Sequence, residues 1–145
     1  VVSFERTRDY MVDDQRFASR RPDVISFESA PLQDDMTLAG VISADLLVSL
    51  STTDADLVVK VIDVLPRPLN AKEADRVGSA SNVAPEQGYQ HLVRAEIMRG
   101  KYRNSLEKPE PFKPGEITSV KFDLPDLFHT FKKGHKIIMR RLKII

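Results

Sequence analysis

Serine, histidine and carboxylate, the three side-chain types of nucleophilic acyl transfer, all occur in this chain, but their spacing assembles no centre. A nucleophilic serine is normally exposed by a strained strand-to-helix elbow of the form Gly-x-Ser-x-Gly. The nearest string, Gly78-Ser79-Ala80-Ser81-Asn82, lacks the second glycine and has no strand leading into it. It reads as a polar loop. His91, His129 and His135 show neither the i, i+4 spacing of a zinc pair nor a close second ligand, so each reads as a partly buried imidazole bonded to backbone. The acidic groups Asp13-Asp14, Asp34-Asp35 and Asp54/Asp56 offer the oxygen ligands calcium takes, without the spacing of an EF-hand loop. They read as Asx turns and strand-end caps. With Cys 0 there is no thiolate nucleophile, thiolate metal site or disulfide framework. The residues alone assign no catalytic, cofactor-binding or metal-binding side chain.

Charge narrows the partners. Lys+Arg 22 against Asp+Glu 21 leaves a formal charge of +1, which argues against nucleic-acid binding by counterion release and against a basic membrane surface. No apolar run approaches the roughly 20 residues that cross a bilayer. Trp 0 and 7% aromatic residues speak against stacking platforms for bases or sugars. The basic residues form two groups, Arg16, Arg20 and Arg21 near the start and Lys132, Lys133, Lys136, Arg140, Arg141 and Lys143 near the end. Both are expected to be solvated or interface faces. Planar guanidinium suits desolvated carboxylates, so Arg16, Arg20 and Arg21 are the interface candidates, with buried carboxylate contacts expected for Arg16 and Arg21.

The elements that must position these groups read as strands. From Met36 to Thr52, Leu38, Ile42, Ala44, Leu46, Val48 and Leu50 share one parity and a mixed set shares the other, which is the period of extended chain. Leu57–Leu65 is dense in β-branched residues and predicts a strand covered on both faces. Further strands are predicted over Leu92–Met98, Ile117–Leu124, Asp23–Leu32 and Lys136–Ile145. The prolines, Pro125 among them, are placed between the strands, where a missing N–H does no harm. Gly134 is expected to close a tight turn with a positive φ. At most one short helix is predicted, in the 66–87 connection, with Asn70 capping and Glu73 completing a capping box. The whole is a single all-β domain, a jelly-roll sandwich before a partly open barrel.

Several strings, in order from Tyr10 to His135, carry a family resemblance. Asp14-Gln15-Arg16-Phe17-Ala18-Ser19-Arg20-Arg21-Pro22-Asp23-Val24 resembles a "DQR…RPDVL" segment, and Asp54-Ala55-Asp56-Leu57-Val58-Val59-Lys60-Val61-Ile62-Asp63-Val64 is similar to a "D-x-D-F-V-V-K-L-x-D-V" strand. Leu92–Ser105, Glu107–Phe112 and Phe128–His135 follow. Together they resemble the C-terminal domain of the X-Pro dipeptidyl-peptidase and cocaine-esterase class of serine hydrolases, most nearly the α-amino-acid ester hydrolases and glutaryl cephalosporin acylases. The resemblance implies a galactose-binding-like jelly roll that supports an upstream α/β-hydrolase domain of the same polypeptide. The triad would lie in that domain, leaving this chain inactive alone. It further implies hydrolysis of acyl or dipeptidyl esters or amides by the parent, no cofactor, and a periplasmic or secreted setting. Many members read Val-Gln where Arg140-Arg141-Leu142 stands here. A free-standing module that binds carbohydrate or forms oligomers is the alternative, the latter through a sheet edge or apolar patch left exposed.

Overall fold

Seven of the nine residues of strand β3, Asp56–Val64, are buried, and the rest of the architecture is arranged about this strand. Its β-branched run fills both faces of a pleated ribbon, as the sequence predicts, because β3 is interior to a sheet and has side chains packed above and below it. The computed structural model describes residues 12–19, 21–66 and 88–144. Arg20, the Gly78–Asn82 string and the helix predicted in the 66–87 connection fall outside them.

Among the described residues, six strands form two antiparallel sheets: β1 Val24–Glu28, β2 Met36–Ser49, β3, β4 Gln90–Arg99, β5 Ile117–Phe131 and β6 Lys136–Ile144. One sheet has the order β1-β6-β3-β4 and the other is the pair β2-β5. The inner faces bury a common core of Val48, Leu57, Val59, Val61, Val120, Phe122, Leu124 and Phe131. Each such side chain removed from water contributes about 1.5–3 kcal/mol, which is what two facing sheets gain and a lone hairpin cannot. A smaller cluster of Ile62, Leu92 and Ile138 lies on the opposite face of the larger sheet. Over that face runs a short 3-10 turn, Gln15–Ala18, whose Gln15 and Ala18 are fully buried.

The end of β5 differs from expectation. The predicted strand Ile117–Leu124 continues to Phe131, so Pro125 lies inside β5 and not between strands. The ladder explains why it is tolerated: Gly40 pairs with Leu127 and Ile42 with Leu124, so Pro125 falls in a register shift where no ladder N–H is required. Gly134 has φ +82°, as expected, and closes the turn between β5 and β6.

Candidate functional site

The most concentrated polar chemistry lies at one end of the sandwich, around Asp63. Asp63 shares the inward parity of Leu57, Val59 and Val61 on β3, so its carboxylate points between the sheets. Its side chain is only 5% exposed. The Oδ2 atom lies 2.9 Å from Nε2 of His129 on β5, and Oδ1 lies 2.8 Å from Nδ1 of His135 in the turn before β6. Each carboxylate oxygen thus takes one imidazole N–H, which fixes opposite tautomers for the two rings when they are neutral. His91, directly opposite Asp63 on β4, stacks on His129 with centroids 6.2 Å apart, and Phe131 meets the same ring edge-on at 4.6 Å. The expectation of backbone-bonded histidines is corrected here. Two of them share a carboxylate, and Asp63 is the partner that sequence reasoning missed.

An acid bonded to a histidine is two-thirds of a catalytic triad. Among the described residues no nucleophile joins it: none of the serine hydroxyls bonded there has a histidine partner. Among the described residues there is also no group of three or more His, Cys, Asp or Glu able to hold a metal ion. The cluster therefore cross-links β3, β5 and the β5–β6 turn.

A second polar cluster occupies the other face of β3. Lys60 and Arg140 are ladder partners on β3 and β6, 7% and 2% exposed. Arg140 donates from Nε to Ser26 Oγ at 3.1 Å, from one terminal nitrogen to the Gln15 carbonyl, and from the other to Gln90 Oε1 at 2.7 Å. Lys60 Nζ donates to Gln15 Oε1 at 2.9 Å and lies 5.4 Å from the centre of the Phe17 ring. Both cations thus rest on neutral acceptors. Burial holds the Lys60 ammonium below its ordinary pKa, and the nearby Arg140 and Arg21 charges push the same way. Desolvation also lowers Arg140, against the pull of Asp14 and Glu28. Arg140 was expected on a solvated or interface face; it is instead the largest fully buried side chain described.

Arg16 and Arg21 do meet carboxylates, at the surface. Arg16 Nε donates to Asp14 Oδ2 at 2.6 Å, and Arg21 clamps Asp23 through two bonds of 2.9 and 2.6 Å. The Arg21 side chain is 52% exposed, so the expected burial is not found. Asp54 behaves as a cap, accepting from the Ala55 and Lys101 backbone, and Asp35 does the same for Lys133. An open depression of about 450 Å³ lies between β4, β5 and the 102–106 loop, lined by Met98, Tyr102, Leu106 and Phe122. Its rim charges already have partners, Lys121 with Asp45 and Glu96 with the Ile97 N–H.

The described residues thus form a two-sheet sandwich whose buried polar groups tie strands together, with an acid bonded to two histidines. The chain belongs to the family described as the X-Pro dipeptidyl-peptidase C-terminal non-catalytic domain, which matches residues 5–140. It is 29% identical over 127 residues to a cocaine esterase of Rhodococcus sp. (strain MB1 Bresler), covering 88% of this chain and 19% of that protein. Among solved structures it is similar to an aminopeptidase from a marine sediment archaeon, Thaumarchaeota archaeon, with TM-score 0.79 and 33% identity over 93% of this chain and 20% of that one. It is also similar to an α-amino acid ester hydrolase, with TM-score 0.78 and 36% identity over 94% of this chain and 20% of that one. The chain therefore spans about one-fifth of the length of the relatives it matches.

Proposed function

We propose that this chain is the accessory β-sandwich, of jelly-roll type, of a serine hydrolase that cleaves acyl or dipeptidyl esters or amides. In this reading it packs against an α/β-hydrolase domain of the same polypeptide, supports one side of the substrate cleft and does not turn over substrate alone. The observation that carries it is the pairing of two coverages, 88–94% of this chain against 19–20% of its hydrolase relatives. The Asp63–His129 pair, with no serine bonded to it among the described residues, supports the same reading. Arg16, Arg20 and Arg21 are assigned to the domain contact, where Asp14 and Asp23 already orient two of the three guanidinium groups.

The test is a fluorophosphonate probe with an α-amino acyl ester substrate. The expected result is stoichiometric serine labelling and turnover by the longer polypeptide, and neither by residues 1–145 alone. Labelling of the 145-residue chain itself would overturn the reading.

A further inference from the structure

The two sheets do not match in width. With strands about 4.8 Å apart, four strands span about 14 Å between the outermost axes and two span about 5 Å. Strand β5 is packed beside β4, where Arg94 bonds the Asp126 carbonyl, so β2 lies toward β6 and β1. Among the described residues, the inner face of the larger sheet beyond β2 is left uncovered. Ile25 and Phe27 pair with Arg141 and Met139, and Met139 pairs with Val61 of the core, so all four point to the inside of the sandwich. Yet Ile25 is 51% and Phe27 66% exposed. Beside them the Arg141 Nε is buried with no hydrogen-bond partner among the described residues.

The strand edges differ in the same sense. Edge strand β1 is only five residues long, and edge strand β4 carries Arg94, Glu96 and Arg99. Short length and charge are the usual protections of an edge that faces water. Strand β2 is 14 residues long, has no Lys, Arg or Pro, and its one charge, Asp45, is engaged by Lys121. Among the described residues its second edge pairs with no strand. It has the length and composition of an interior strand.

We propose that the free edge of β2 receives an extended segment from outside these 145 residues, a strand of the same hydrolase polypeptide. That strand sets alternate apolar side chains on Ile25, Phe27 and Met139 and an Asp or Glu opposite Arg141. The inference rests on the accessory-domain reading, since the relatives carry about four-fifths of their length outside the matched region. Main-chain bonds along β2 supply the affinity, and the apolar row and Arg141 supply register and specificity.

Amide hydrogen exchange tests it. In residues 1–145 alone, the β2 amides that do not bond β5 exchange rapidly; in the longer polypeptide they slow at least about tenfold. Phe27→Lys leaves the denaturation midpoint of the 145-residue chain nearly unchanged and removes that protection in the longer polypeptide. Arg141→Gln, a milder change, weakens the protection without abolishing it. Equal exchange in both proteins would overturn the proposal. So would slow exchange in the 145-residue chain alone, whether independent of concentration (the chain covers its own edge) or rising with it (a second copy does). Serine labelling of the longer polypeptide reports separately on the accessory-domain reading, so the two fail independently.

Discussion

Strand β3 buries an ionisable group on each face and solves the problem differently on the two sides. Toward the core, Asp63 is met by His129 and His135, groups that can carry the opposite charge. Toward the outer face, Lys60 and Arg140 are met by carboxamide, hydroxyl and carbonyl oxygens, which neutralise nothing. Burying an ion against neutral acceptors satisfies its hydrogen bonds but leaves most of its desolvation cost. The inner site is a cross-link between the two sheets. The outer one holds a single layer together, tying β1, β4, β6 and the N-terminal turn through one guanidinium.

The difference is measurable. Arg140→Ala is expected to cost the most, about 3–4 kcal/mol in urea denaturation, because it opens a cavity and strips the Gln15 carbonyl and Gln90 of their donor together. A loss below about 1 kcal/mol would show that the N-terminal turn does not depend on it. Asp63→Ala should cost about 2–3 kcal/mol, since two partly buried imidazole N–H groups lose their acceptor. His129→Ala in the Asp63→Ala background should then cost less than it does alone, the signature of a shared interaction; strict additivity would show that the sheets are not coupled there. Lys60→Met is expected to be neutral or stabilising near pH 7, because it removes a buried cation beside Arg140 and keeps the volume.

The sign of its pH dependence follows from the direction of the shift. The folded Lys60 pKa is lowered from its ordinary 10.5, so the unfolded chain binds more protons between the folded and unfolded values, and wild-type stability gains as pH rises through that window. The advantage of Lys60→Met should therefore shrink toward pH 10.5, and a constant difference from pH 7 to 10.5 would contradict the buried charge. Arg21→Ala should have the smallest effect of all, leaving the midpoint of the 145-residue chain essentially unmoved, because its pair with Asp23 is solvent-screened.

Legibility in the sequence followed locality. The period-two stripes of β2 and the β-branched density of β3 encode extended chain directly, and the two-sided burial of β3 follows from them. Gly134 was legible because a tight turn after Lys132-Lys133 needs a positive φ. The end of β5 was not, since Pro125 is accommodated by a bulge in which Pro125 and Asp126 stand opposite Val41 of β2, a pairing distant in sequence. The polar clusters were hidden for the same reason. Asp63 meets histidines 66 and 72 positions onward, and Arg140 reaches a carbonyl 125 positions back. Single-sequence spacing carries no signal for such meetings. What sequence did offer for Arg140 was the departure from the family's Val-Gln, a basic residue at a position whose parity in β6 is buried.

The place of β6 in its sheet has a consequence for assembly. Strand β6 lies between β1 and β3, with Leu142 beside both Val24 and Val58, so the two halves of the larger sheet touch only through it. During synthesis β1 must wait, unpaired, until more than 100 further residues have left the ribosome. Such non-local closure folds slowly and keeps sticky edges open meanwhile. Truncation within β6 would accordingly yield insoluble material even when every earlier strand is intact, making this nine-residue strand the clasp of the larger sheet.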